Sequence, residues 1–547
     1  MDSIIEKGAV SFSTLLLIKF AILVAALVVI SVGLYLKKRN GKAQLVKVSD
    51  YILIGLGALA LLSYVNFKPF SSQPHYWDMF HYYTGSKYFP ELGYTRLYAC
   101  VAKAEAESDN PSVRAQAYGR NIRDLKNNVV VPARLYFFDD TFCKARFSAR
   151  RWEAFKKDVE FFHSRFSRSR NGDFWWDRVQ LDHGFNPSPV WALAGGGISN
   201  LVPLSDSVLM GITLIDVALL FGCVACLVWA FGLPTAAFAV IACTASGVAD
   251  WSWIGGSLLR LDWLFLAIFS ACAMKRGHYV LAGAALGYAA ALRVFPAIFA
   301  FGPLVGLLYA IYKRQHDLKL VYGKFFGGML ISAAVLVASA TVVYGGESLR
   351  AFFDNSGKHS AVVSTNYVGL RTVLTYNPDT AIRKKPLDFN YEDPYRTGGA
   401  DPRVDYSSWT AAKVEARQKA IPIYVVVVAI SLLFFVPAVI LGEAWGAIAL
   451  GATFVPFVWS ELSNYYYVFL MVVATLFAAN RKVAFPLLLA GIVTAIGRLS
   501  GMWEYEISTL SSAAYCIGFL AVWMLVNSQL LFWWQAFFSL IKKRKNV

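Results

Sequence analysis

Apolar residues in this chain come in long uninterrupted runs instead of alternating with polar ones. "STLLLIKFAILVAALVVISVGLYL" (Ser13 to Leu36) and "VLMGITLIDVALLFGCVACLVWAFG" (Val208 to Gly232) are two examples. A helix of about 20 such residues crosses the hydrocarbon of a bilayer, and by that criterion the chain holds about thirteen spans. At 57% hydrophobic and 15% aromatic residues it carries more apolar surface than a soluble domain of its length could bury. The pattern predicts an all-α polytopic membrane protein.

Two long polar stretches interrupt the runs. One covers residues 67–200, beginning near Lys68 and ending near Asn200, and the other covers 345–419. The chain thus divides into an additional N-terminal span with its basic loop (1–48), a membrane core containing the first polar loop (49–344), the second polar loop (345–419), and C-terminal helices with a basic tail (420–547). Basic clusters at Lys37-Lys38-Arg39, Lys275-Arg276, Lys313-Arg314, Arg481-Lys482 and Lys542 to Lys545 fall in every second connection. Short loops rich in Lys and Arg stay on the cytoplasmic side, so the N-terminus is expected outside, the C-terminus inside, and both polar loops outside a cell membrane. Because a basic loop and further spans follow it, the first span reads as an anchor and not as a cleaved signal.

The net charge of +17 is largely this topology signal, and nucleic acid is not an expected partner. Five of the seven cysteines lie in spans as small apolar side chains, while Cys100 and Cys143 share the first polar loop and can pair in an oxidising compartment. No metal-binding spacing occurs and no cofactor is called for. In the same loop Trp152, Phe155, Val159, Phe162 and Phe166 recur at helical spacing, with Arg150, Arg151, Lys156, Lys157 and Arg165 between them. Such a basic amphipathic helix either packs on the rest of the protein or lies among anionic lipid headgroups, so membrane lipids are one expected partner. The two halves of the chain show no internal repeat, which a transporter of the two-fold type would show.

The segment "HYWDMFHYYTGSKYF" (His75 to Phe89) opens the first polar loop. Its aromatic residues suit a membrane–water boundary, whereas Asp78 there is costly unless solvated, paired or useful. Asp78, the pair Tyr82-Tyr83 and "LGYTRLY" ending at Tyr98 resemble the first external loop of GT-C superfamily glycosyltransferases, especially the polyprenyl-phosphate-mannose-dependent mannosyltransferases. In the same order, "FNPSP" (Phe185 to Pro189) resembles that group's proline pair, and "GGSLLRLDWL" (Gly255 to Leu264) its Gly-Gln turn, with Ser257 in place of Gln. "GYAAALRVFPAI" (Gly287 to Ile298) resembles its small-residue helix, "TNYVGLRTVL" (Thr365 to Leu374) its Asn-x-Ser-Leu loop, and "WSELSNYYYVFLM" (Trp459 to Met471) its late external turn. The first span is additional to the group's pattern, and the stretch between Cys100 and Asp182 is longer and more basic than it requires.

The resemblance implies a GT-C-like helical bundle that transfers a sugar from a polyprenyl-phosphate donor to a hydroxyl of a lipid or glycan acceptor, in a cavity under the loops after the second and eighth spans. Such a transfer needs a base for the hydroxyl proton and cations for the departing phosphate. Asp78 suits the first role, and with a single base the anomeric carbon inverts. Arg260 and Arg371 suit the second, with Arg293 a further candidate, because a guanidinium matches phosphate geometry. Tyr82, Tyr83, His183, Asn366, Glu461, Asn464 and Tyr465 are candidates for binding the sugar or the acceptor. Each has a structural alternative: Arg293 as partner of Asp216 inside the third span, Arg260 paired with Asp262, the tyrosines as an interfacial belt, His183 as an exposed loop residue. Two other functions fit some of the same residues. A lipid or solute transporter would line its path with Asp216, Arg260, Asp262 and Arg293, and a polysaccharide polymerase or ligase would share the lipid-linked donor.

Overall fold

The computed structural model describes residues 10–39, 43–67, 74–168, 172–382 and 406–526. The basic tail at Lys542 to Lys545 lies outside them. Among the described residues, eight helices are long and apolar enough to cross a membrane: Phe12–Lys38, Ala43–Tyr64, Asp206–Phe231, Phe295–Tyr312, His316–Tyr344, Ile421–Leu441, Arg481–Leu499 and Glu504–Val526. Four apolar segments are shorter: Leu233–Thr244, Tyr279–Leu292, Ala444–Val458 and Asn464–Ala478. The count of about thirteen rested on apolar length, and length alone does not reveal that several runs break into short helices and turns. The stretch 444–458, for example, passes from a 3-10 turn through two short helices, the second with a proline in its first turn.

Small residues set how closely the helices approach. A Cβ on Gly283 would lie 1.8 Å from the carbonyl oxygen of Phe325, one on Gly287 2.4 Å from that of Met329, and one on Gly328 2.1 Å from that of Val280. Helices Tyr279–Leu292 and His316–Tyr344 therefore meet backbone to backbone, as small residues allow in a lipid environment that offers no hydrophobic drive between helices. The additional first helix is packed into the bundle. Its Lys19, buried in mid-helix, pairs at 2.7 Å with Asp250, which also holds Arg498 at 2.5 Å. Pairing an intramembrane lysine with an acid in this way offsets part of the cost of its burial.

The first polar segment folds into a unit of its own. Helices Leu97–Ala106, Ala149–Ser167 and Gly172–Val179 surround an antiparallel hairpin in which Asn121–Asp124 pairs with Val129–Pro132. A disulfide joins Cys100 to Cys143. Trp152, Phe155, Val159, Phe162 and Phe166 are all buried. They pack on Tyr83, Tyr88, Phe147 and Trp176, so this amphipathic stripe is the core of the unit and is not available to a lipid surface. Arg165 at the end of that helix pairs with Asp206, the first residue of the span Asp206–Phe231. At the other end of the same span, Arg276 donates to the carbonyl of Trp229. The polar unit and this basic cluster thus sit at opposite ends of one helix. The second polar segment lies against the first: Lys358, on helix Glu347–Ala361, donates to the carbonyl of Leu125 at 2.8 Å.

Candidate functional site

Asp78 lies in the short helix Tyr76–Met79, which continues through a π-helical turn, Phe80–Thr84. Such turns occur often at functional sites. Asp78 and Tyr82, four residues apart, share one face, and Tyr83 turns to the other. Tyr83 is fully buried against Phe162 and beneath the ammonium of Lys87, so it belongs to the core of the polar unit and does not join the site.

The irregular loop 246–261 supplies the facing wall. His75 donates its backbone N–H to the carbonyl of Gly256 at 2.8 Å, which ties the start of the short helix to this loop. Both oxygens of Asp216, buried in the span Asp206–Phe231, accept backbone N–H groups, from Arg260 at 3.0 Å and from Leu261 at 2.9 Å. Asp216 therefore fixes the loop, and it is not the counter-ion of Arg293 that its intramembrane position suggested. Asp262, the first residue of its helix, accepts from the N–H of the following Trp263 at 2.7 Å. Arg260 turns instead to Asp78 and Tyr82.

Arg260 Nε is 3.6 Å from Asp78 Oδ2, and its Nη1 donates to the Tyr82 hydroxyl. The guanidinium lies over the rings of Tyr82 and Tyr465, 4.6 and 5.1 Å from their centroids. Arg293 stands beside it, 5.6 Å from the Tyr82 ring and 5.8 Å from that of Trp191. Tyr466 stacks near Tyr465 with centroids 4.6 Å apart. Among the described residues, Asp78 Oδ2 and Arg293 Nε are buried without a hydrogen-bond partner. The fold thus brings together two guanidinium groups, the Asp78 carboxylate and, within electrostatic reach of Arg293, the buried Asp262, in an aromatic-walled recess with unused hydrogen-bonding capacity of both signs.

The remaining candidates fall elsewhere. Arg371, Glu461, Lys413 and Arg417 form a second cluster. Glu461 is 2.9 Å from Arg417, 3.7 Å from Lys413 and 4.0 Å from Arg371. Burial pushes the Lys413 ammonium down to about 8, against the opposing pull of Glu461. Arg371 shares no partner with Arg260 among the described residues. Asn366 and Asn464 clamp the two-residue strands Tyr367–Val368 and Leu462–Ser463, by an amide contact at 3.3 Å and the Asn464 N–H to the Asn366 carbonyl at 2.9 Å. Their contact is a lock between two loops. A small polar cavity between Trp253, Asn464, Arg498, Glu504 and Ser508 lies behind this lock and excludes Asp78.

His183, a candidate for binding the sugar or the acceptor with an exposed loop residue as its alternative, is half-buried. It packs edge to face on His359, centroids 5.2 Å apart, and its Nδ1 is 3.2 Å from Asn128 Oδ1. The Asn186 side chain lies 3.1 Å from that of Asn355 and 2.6 Å from His359 Nε2. Nearby, Asp182 accepts from the Trp77 indole at 2.7 Å, and His81 meets the Tyr98 hydroxyl at 2.6 Å. Burial holds His81 below its ordinary value. These groups support the short helix from behind.

Sequence reasoning missed Trp191, Lys413, Arg417 and His359. Trp191 lies two residues beyond the "FNPSP" stretch. Nothing in the local pattern marks the other three, which are brought in by tertiary packing. Among the described residues no group of three or more His, Cys, Asp or Glu is placed to hold a metal ion. No family model, no curated protein and no solved structure matches this chain. What the fold and site define is a helical membrane protein with a buried acid–arginine recess at the end of the bundle that carries its polar segments.

Proposed function

We propose that the protein is a GT-C-like membrane glycosyltransferase that moves a sugar from a polyprenyl-phosphate donor to a hydroxyl of a lipid or glycan acceptor. The observation that carries this reading is the recess itself: Asp78, with an oxygen that has no hydrogen-bond partner, stands 3.6 Å from Arg260, which shares the face of Tyr82 with Arg293, whose Nε is equally unused. Acid and cations in one dry, aromatic-walled place are what the transfer requires.

Asp78 takes the proton of the acceptor hydroxyl as its oxygen attacks the anomeric carbon. The bond from that carbon to the phosphate oxygen breaks, and its electron pair leaves with the polyprenyl phosphate, whose charge Arg260 and Arg293 stabilise. Attack opposite the leaving group inverts the anomeric centre. Tyr82, Tyr465, Tyr466 and Trp191 exclude water and offer faces to the sugar ring or the first isoprene unit. Arg371, Glu461, Asn366, Asn464 and His183 act outside this step. In this reading the N-terminus and both polar segments face outward from a cell membrane and the C-terminus is cytoplasmic, in line with the basic clusters.

The test is a transfer assay with purified protein and a panel of labelled polyprenyl-phosphate sugars. Transfer of one of them, inverted at the anomeric carbon, supports the reading. Absence of transfer from all, together with movement of the donor lipid across the bilayer of reconstituted vesicles, supports a transporter instead.

A further inference from the structure

The cluster around Glu461 carries three cations on one acid. Arg417 is held at 2.9 Å from that carboxylate and donates to the carbonyls of Ala361 and Val362 at 3.3 and 3.2 Å. Lys413 is buried, donates to the Tyr505 hydroxyl at 2.8 Å and also bonds Thr375. Arg371 is different. It stands 4.0 Å from Glu461, too far for a hydrogen bond, and 36% of its side chain is exposed. Among the described residues, Arg417 engages Glu461 through its Nε, while Glu461 Oε1 is buried beyond hydrogen-bond distance of its nearest cation, Lys413 Nζ at 3.7 Å. The cluster therefore has an excess of two positive charges and an opening at Arg371, whose guanidinium is not hydrogen-bonded to Glu461.

Its position fixes what can reach that opening. The Arg371 guanidinium lies over the ring of Tyr424, 5.0 Å from the centroid, in the first turn of the span Ile421–Leu441. Beside Tyr424 on that helix, Ile421, Ile423, Val425 and Val426 are each more than half exposed, as on a surface facing lipid tails. Tyrosine at the end of a span marks the headgroup level. Cations at that level bind lipid phosphates, and a guanidinium suits them best.

We infer that Arg371, backed by Arg417 and Lys413, forms a binding site for the phosphate of an anionic lipid headgroup, separate from the Asp78–Arg260–Arg293 recess. The site does not depend on the transferase reading. Glu461 keeps the three cations together in the empty site and competes with the lipid phosphate for them when one arrives.

The test is equilibrium binding to the full-length protein in detergent, using dioctanoyl phosphatidic acid, dioctanoyl phosphatidylcholine and inorganic phosphate as separate probes. Phosphatidic acid is expected to bind, Arg371→Ala to weaken it about tenfold, and Arg371→Lys to restore part of the loss. Glu461→Gln is expected to tighten it, and Lys144→Ala, a half-exposed cation of the first polar segment outside both clusters, to leave it unchanged. The Arg371 side chain is partly exposed, so its replacement leaves the folded protein available for measurement. Equal binding to Arg371→Ala, a loss in Lys144→Ala as large as that in Arg371→Ala, or equal affinity for phosphatidylcholine overturns the site. Inorganic phosphate binding as tightly as phosphatidic acid overturns the assignment to a lipid.

Discussion

Asp216 holds Arg260 by its backbone: the carboxylate accepts the Arg260 N–H at 3.0 Å with one oxygen and the Leu261 N–H at 2.9 Å with the other. An acid inside an apolar helix is thereby fully used, and the guanidinium of Arg260 is left to face Asp78. Asp216→Asn turns an amide NH₂ toward one of these donors. The change removes a charge-assisted bond and leaves a buried N–H unmatched, for a loss of about 1–3 kcal/mol. Thermal unfolding of the purified variant checks this. A transition unchanged from wild type removes Asp216 from its role in placing the loop.

The two arginine clusters make different predictions for the donor. Arg260→Ala and Arg293→Ala each weaken donor binding by about 1.5–3 kcal/mol, the worth of a charge-assisted hydrogen bond in a dry site. Arg371→Ala changes it by less than about 0.5 kcal/mol, as expected of a residue distant from the site. Donor titrations of the three variants decide it. Equal losses in all three merge the clusters into one phosphate site.

The sequence showed the membrane class, the two polar segments and the short stretches that meet in the recess, because apolar length and aromatic clustering are local properties. The number of long helices was less legible, since a run such as 444–458 is apolar throughout yet broken by turns. Partnerships were least legible of all. Arg371 and Arg260 look alike in the sequence, each in a turn of the same predicted face. Only the packing shows one beside Asp78 and the other beside Glu461. The basic amphipathic stripe of Ala149–Ser167 likewise reads equally well as a membrane surface or a core, and the disulfide and hairpin around it make it a core.

The histidine pair where the two polar segments meet predicts a pH dependence. Burial, followed by the neighbouring His183, pushes His359 down to about 4, and burial also lowers His183, while Asp182 opposes both. Lys358 and Arg123 also face His359 and disfavour its charge. The folded state then binds fewer protons than the unfolded one between the ordinary value of 6.5 and about 4, so docking is firm above 6.5 and weakens as pH falls through that window. Hydrogen exchange in residues 347–361, corrected for intrinsic rates, is faster at pH 5 than at pH 7, and His359→Asn reduces the difference. Equal protection at both pH values contradicts the burial of the pair.

For the orientation, exposed positions in the two polar segments serve as reporters. Cysteines introduced at Ser112 and Ser360, both exposed, react with an impermeant thiol reagent in intact cells. Labelling of either one only after lysis places the recess on the cytoplasmic side.

The central claim is that Asp78 removes a proton from the acceptor, and its isosteric replacement tests it most directly. Asp78→Asn keeps the shape and can still hydrogen-bond, but it cannot take the proton. Turnover is expected to drop by about 10²–10⁴-fold while donor binding and unfolding temperature stay close to wild type. Were Asp78 only the counter-ion of Arg260, the same change would leave a buried charge unpaired and appear as lost stability. The measurement is turnover and donor affinity of Asp78→Asn in one well-folded preparation: a collapse of turnover with donor binding retained is the predicted result, and near-normal turnover contradicts the mechanism.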